Sequence, residues 1–105
     1  MHETVLVYTT WPSAGEAEAA GRRLVEARLC ACVNILPGMV SVYSWEGTIE
    51  RGEEAVMILK TQRSRAAQLM EAVRDAHPYD TPAILELPAG AVDPRYASWI
   101  AAETA

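Results

Sequence analysis

Residues 31–61 read ACVNILPGMVSVYSWEGTIERGEEAVMILKT. From Ala31 to Tyr43 the residues are strand-like, rich in Val, Ile and Tyr, which suit a pleated, half-buried surface. Pro37-Gly38 interrupts them and predicts a bulge or kink rather than the end of a strand. Ser44 to Glu50 continues extended, Arg51-Gly52-Glu53 is a turn signal, and Ala55 to Thr61 returns as a strand. At about 3.3 Å per residue, the arms of this hairpin are much longer than a sheet beneath two helices needs. The excess has to project. It carries Val40, Val42, Tyr43, Trp45 and Ile49, and open strand edges with apolar side chains either aggregate or pair with another copy in a defined way. An oligomer built through the hairpin is therefore expected.

Outward from the hairpin, the pattern alternates. Thr4 to Thr10 is β-branched and aromatic, hence strand, and Trp11-Pro12 breaks it. Ser13-Ala14-Gly15-Glu16 has the capping-box form, and a helix runs from it to about Arg28. Its apolar stripe is Ala17, Ala20, Leu24 and Ala27 or Val25. A second helix is expected from about Ser64 to Ala76, with Ala66, Leu69, Met70 and Val73 inward. Ala83 to Leu87 reads as a last core strand. Asp93-Pro94 opens a short C-terminal helix whose apolar face is Tyr96, Trp99 and Ile100. The order strand, helix, strand, strand, helix, strand is the split βαβ of an α+β, ferredoxin-like βαββαβ sandwich. One domain is expected to span residues 1–105.

The chain is 50% hydrophobic and 22% charged, ordinary for a globular protein. Nine Lys and Arg against fourteen Asp and Glu leave a net charge of −5. Such a chain is poorly suited to coat nucleic acid or an anionic membrane, but it attracts cations. No apolar run approaches the roughly 20 residues of a membrane span, and no basic segment leads into an apolar one at the N-terminus, so a cytoplasmic setting is expected. Cys30 and Cys32 stand one residue apart, where a bridge would close almost no loop; they read as reduced thiols. There is no nucleophile motif, Gly-rich phosphate loop, Cys-x-x-Cys pair or His-Glu-x-x-His helix, and the reading is a binding protein rather than an enzyme.

The segment His77-Pro78-Tyr79-Asp80-Thr81-Pro82-Ala83 holds an imidazole, a phenol and a carboxylate between two prolines on a stiff path. His77 is a candidate copper or zinc ligand; the competing reading is a helix C-terminal His against the last carbonyls. Cys32 is either a soft-metal thiolate or a small core hydrophobe. Cys30, nearer the helix end, is either a packed helix-terminal residue or the more exposed thiol, and on an extended strand the pair could chelate one soft ion. Tyr79 and Asp80 either line the same pocket or serve as a packed aromatic and a turn residue. Tyr43, Trp45, Tyr96 and Trp99 are candidates for a cleft between subunits, with oligomer core as the alternative. Glu53, Glu54 and Lys60 are its candidate polar groups, with solvated surface as the alternative. His2 is assigned no role.

These residues carry a resemblance. Ala31-Cys32-Val33-Asn34-Ile35, Tyr43-Ser44-Trp45-Glu46-Gly47, Glu53-Glu54, Lys60-Thr61, the His77–Pro82 segment, Tyr96 and Trp99 follow in order along nearly the whole chain. Together they resemble the motif series of the CutA family of divalent-cation tolerance proteins. The resemblance implies a compact homotrimer of ferredoxin-like subunits, similar in assembly to the PII signalling proteins, a cytoplasmic setting, and a link to copper and divalent-metal tolerance. Asp80 stands where the family often has Glu, and Cys30 is extra to the motif. Three expectations follow. One is a trimer that binds copper or another divalent metal ion through Cys32 and His77. Another is a PII-like sensor of a small molecule in clefts lined by Tyr43, Trp45, Glu53, Lys60, Tyr79, Asp80 and Trp99. The third is a stable structural trimer that anchors a partner.

Overall fold

A computed structural model describes residues 3–105; His2 lies outside the described residues. The elements run β1 (Thr4–Trp11), α1 (Ala14–Glu26), β2 (Cys32–Trp45), β3 (Thr48–Gln62), α2 (Arg63–Ala76), β4 (Ile84–Pro88) and α3 (Pro94–Glu103). The strands form one antiparallel sheet in the order β2-β3-β1-β4. This is the ferredoxin-like arrangement: β1 and β2 flank β3, and α1 crosses over the sheet between them.

The local causes are legible. The Ser13 hydroxyl accepts the Glu16 N–H at 3.2 Å and starts α1. Arg28, at φ 62°, ends it in a Schellman turn: Leu29 N–H reaches the Leu24 carbonyl at 3.1 Å, and Arg28 N–H reaches Val25 at 3.0 Å. Asp93 caps α3 by accepting the N–H groups of Arg95 and Tyr96, with Pro94 at the first helical position.

Alternation along β1 and β3 sends Val5, Val7, Trp11, Met57 and Leu59 to one face. Ala17, Ala20 and Leu24 of α1 and Leu69 and Val73 of α2 close over that face and form the core. Met70 and Ile84 pack at its margin. Lys60 and Cys32 alternate to the other face, where α3 lies against them. The remainder of that face is open, with Leu36 53% and Leu85 54% exposed.

Three sequence expectations change. The hairpin turns at Glu46-Gly47, not at Arg51-Gly52-Glu53. Both turn residues have positive φ (49° and 81°), the signature of a two-residue type I′ turn between Trp45 and Thr48. Gly52 stays extended opposite Ser41. Second, Trp11 does not break β1; it is its last residue and is buried. Third, the strand that ends the sandwich is an edge. Leu85 and Leu87 are exposed, and only Ile84 reaches the core margin.

The bulge lies where Pro37-Gly38 predicts it. The register passes from Leu36↔Val56 to Met39↔Glu54, one extra residue on β2, and Gly38 takes φ 73°. β1 covers β3 only from Ala55 to Gln62. The ribbon Met39–Glu54 therefore projects beyond the helices by about 20 Å, which makes the molecule 46 Å long and only 26 × 22 Å across.

Gly21 marks the closest approach of α1 to the sheet. A Cβ there would lie 2.9 Å from both Met57 Sδ and Val33 Cγ2. Met57 is fully buried and Val33 is stiff at χ1. Gly21→Ala should thus cost stability by about 1 kcal/mol or more, although alanine is the better helix former. Chemical denaturation checks the sign; a more stable variant would show that the contact relaxes freely.

Candidate functional site

The stiff segment after α2 is anchored through His77, the C-cap residue. Its ring is buried between Trp11 and Tyr79, with centroids at 4.2 and 4.7 Å. Nε2 lies 2.7 Å from the Thr10 carbonyl, which can only accept, so Nε2 carries the proton and donates. Nδ1 then accepts the Tyr79 N–H at 3.2 Å. Both ring nitrogens are engaged within the chain. The alternative of a histidine on the last helix carbonyls is not realised either, because the ring reaches across to β1.

That anchor turns Tyr79 toward the base of the projecting ribbon. The Tyr79 hydroxyl donates to Glu54 Oε2 at 3.0 Å, and the Ser41 hydroxyl donates to Glu54 Oε1 at 2.7 Å. Glu54 thereby ties β2, β3 and the 77–83 segment together. Burial and the neighbouring Glu54 carboxylate push the Tyr79 phenol up to about 12, so it stays protonated as a donor.

Between ribbon and segment opens a groove of about 570 Å³, lined by Thr10, Tyr43, Trp45, Gly52, Glu53, Glu54, Tyr79, Asp80, Thr81 and Ala83. The fold thus brings Tyr43, Trp45, Glu53, Tyr79 and Asp80 to one place. It does not bring Lys60 or Trp99 there. Lys60 Nζ donates to the Tyr96 hydroxyl at 3.1 Å, Cys32 Sγ is 3.5 Å from the same oxygen, and Trp99 stacks on Tyr96 at 5.7 Å. The candidates form two clusters within the chain, one at the hairpin base and one under α3.

The pairing of Cys32 with His77 is not met within the chain. Cys32 faces Lys60 on β3, and Lys60 faces Leu6 on β1, whereas His77 docks at Thr10. Four residues along the strands and two strand spacings across put Cys32 roughly 16 Å from Thr10, the residue that His77 meets. His77, with both nitrogens occupied, does not fit as a donor. Among the described residues no three His, Cys, Asp or Glu side chains converge as a metal cage. Of the two readings of Cys30, the packed helix-terminal residue is the one realised. Cys30 is buried in the core, and burial, together with Cys32 nearby, pushes its thiol up to about 12, while Cys32 is half-buried. A Cys-x-Cys chelate does not suit a thiol held protonated in an apolar core. Cys32 alone keeps a thiol that can meet a soft ion.

Glu54 is the member whose role sequence reasoning understated beside Glu53. Its signal was the alternation Glu54, Val56, Ile58, Lys60, which places it on the face opposite the core. Thr10 and Thr81 carried no signal, because a β-branched residue at a strand end or beside a proline reads as structure.

Against known proteins, the model of the family described as CutA1 divalent ion tolerance protein matches residues 5–103. The divalent-cation tolerance protein CutA of Thermus thermophilus is 38% identical over 104 residues, covering 99% of each chain. The mouse protein CutA is 40% identical over 93 residues, 89% of this chain but 52% of its own length, so the chain spans about half of that relative. The crystal structure of the divalent ion tolerance protein CutA1 from Ehrlichia chaffeensis superposes with a TM-score of 0.95 at 34% identity, covering 100% of this chain and 98% of the other.

Proposed function

The chain belongs to the CutA1 divalent ion tolerance family, and on that premise we propose that it serves divalent-cation tolerance as a closed homotrimer, a cytoplasmic binding protein rather than an enzyme. The observation that carries the assembly is the ribbon. Val42 is 68% exposed, Ile49 71% and Trp45 54%, on strands that project past every helix. Cyclic closure covers such strands and leaves no free edge, which an open stack does not do. The second sheet face, with Leu36, Leu85 and Leu87 exposed, is the surface that faces inward in such a ring.

Copper is the ion assigned to it, because a thiolate suits copper(I), and Cys32 is the half-buried thiol, beside a phenol and an ammonium group. His77 acts as the wall that sets Tyr79, not as a ligand. The two free cysteines support a reducing compartment. Against catalysis stand the protonated, buried Cys30 and a His77 whose two nitrogens are both held by the backbone. A second reading has its own observation. The aromatic and carboxylate groove of about 570 Å³ is large enough for a small molecule, as in a PII-like sensor.

Light scattering combined with a copper(I) titration tests the first reading. The mass at micromolar protein should be three times 11.5 kDa. Cys32→Ser should lose most of the copper binding. A monomer, or unchanged binding by Cys32→Ser, would overturn the corresponding half of the proposal.

A further inference from the structure

The last turn of α3 is held from three directions. The Arg28 guanidinium donates to the Ala102 carbonyl at 2.8 Å, across 74 residues of sequence. Arg65 Nε, from the first turn of α2, donates to the Thr104 carbonyl at 2.8 Å. Gln62, at the end of β3, donates its amide to the Thr104 hydroxyl at 2.9 Å, and that hydroxyl donates to the Ile100 carbonyl at 2.7 Å. Ile100 and Thr104 are fully buried and Ala101 nearly so, which makes this the packed end of the helix. All of these contacts are made within the chain.

The donors suit what they meet. The last carbonyls of a helix have no partner inside it and carry the negative end of its dipole. Two guanidinium groups answer both conditions. Neither is drawn off elsewhere: among the described residues, Arg28 and Arg65 form no ion pair with a carboxylate.

Arg28 is the unexpected member. It follows α1 in the turn that ends that helix, at φ 62°, where glycine is the usual residue and a side chain is disfavoured. A residue that only ended α1 would be better as glycine. What arginine adds there is the reach to α3.

The other half of α3 carries Tyr96, whose hydroxyl accepts from Lys60 Nζ at 3.1 Å and lies 3.5 Å from Cys32 Sγ. From Tyr96 to Thr104 the helix is about 12 Å long, so a tilt of about 5° at the clamped end moves the phenol by about 1 Å. A hydrogen bond of 3.1 Å does not survive that displacement.

We propose that Arg28 is a positioning residue: with Arg65 and Gln62 it clamps the C-terminal end of α3, and the clamp sets Tyr96 against Cys32 and Lys60. The link to the thiol rests on the copper reading of Cys32; the clamp itself does not. A site whose neighbours are already ordered loses no binding free energy to ordering them.

Amide hydrogen exchange followed by NMR, with a competitive copper(I) titration on the same preparations, tests this in the wild type, Arg28→Gly and Arg28→Lys. Arg28→Gly removes the guanidinium and relaxes the backbone at φ 62°. The amides of Ala97 and Thr104 in α3 should exchange about threefold to tenfold faster, while those of Ala27 and Leu29, which close α1, stay as slow as in the wild type or become slower. Opposite behaviour at the two helix ends excludes a global change in stability. Arg28→Lys keeps the disfavoured backbone and restores a cationic donor, and it should recover most of the protection of α3. Copper(I) affinity should fall about threefold to tenfold in Arg28→Gly and return in Arg28→Lys. Wild-type exchange in α3 of Arg28→Gly overturns the clamp. Faster exchange with copper affinity unchanged, while Cys32→Ser loses binding, overturns the positioning of the thiol. If Cys32→Ser binds copper as tightly as the wild type, the copper reading falls and the link to the thiol with it, and the clamp stands or falls by exchange alone.

Discussion

Trp11→Ala is expected to lower the free energy of unfolding by about 3–5 kcal/mol, the cost of deleting a large core aromatic. Trp11 is 1% exposed and belongs to the core cluster with Val7, Leu24 and Leu69. Its indole N–H donates to Thr9 Oγ1 at 2.6 Å, and the Thr9 hydroxyl passes the connection to the Met57 carbonyl at 3.1 Å. Its ring also supports His77. The substitution therefore opens a cavity and loosens the groove wall together. Urea denaturation at one fixed protein concentration measures it, since the proposed association would shift apparent stability. Should the alanine variant fail to fold, Trp11→Phe keeps a ring and is expected to cost about 1–2 kcal/mol. A Trp11→Phe protein as stable as the wild type would show that the indole hydrogen bond contributes nothing.

His77→Ala is expected to destabilise by about 2–3 kcal/mol while leaving copper binding unchanged. The Thr10 carbonyl loses the partner it has at 2.7 Å and the Tyr79 N–H the one at 3.2 Å. A buried polar group left unpaired costs about 1–3 kcal/mol, and the lost ring stacking adds about 1 kcal/mol. Water can reach the Tyr79 side, which holds the sum below the maximum. Denaturation and copper titration on the same preparation separate the two roles. Weakened copper binding with stability intact would restore His77 as a ligand and rule out its ring as the anchor of the 77–83 segment. His77→Gln offers an amide in place of the imidazole and should recover part of the lost stability.

Much of the fold was legible because local signals agreed with each other. Ser13 with Glu16, and Asp93 with Pro94, mark helix starts through contacts made within one turn. Pro37-Gly38 announced the bulge because proline cannot donate to a ladder and glycine accepts positive φ. The hairpin turn was missed because Arg51-Gly52-Glu53 looks more polar and turn-like than Trp45-Glu46-Gly47-Thr48. Pairing chose Gly47, whose placement lets Cys32–Trp45 pair with Thr48–Lys60 across the bulge. β4 looked like core because Leu85 and Leu87 are apolar. A strand at the sheet edge shows one face to the helices and the other to whatever covers the sheet, and its composition does not say which strand that is.

The candidate site divides along the same line. Residue chemistry picked out Cys32, Tyr43, Trp45, Glu53, Lys60, His77, Tyr79, Asp80 and Trp99 as unusual for plain structure, and the order of elements followed from periods and caps. Both depend on neighbours within a few residues, so they are written along the chain. Which of these side chains meet is set by the register of β1 on β3 and by where the 77–83 segment docks. Those contacts span long sequence separations, 67 residues between Thr10 and His77 and 64 between Cys32 and Tyr96. No local pattern encodes them. Docking turned His77 inward to a carbonyl, because a buried imidazole needs partners once the core has closed, and the same long-range register gave Glu54 its place at the hairpin base and set Cys32 beside Tyr96 and Lys60 in contacts that stay open to solvent.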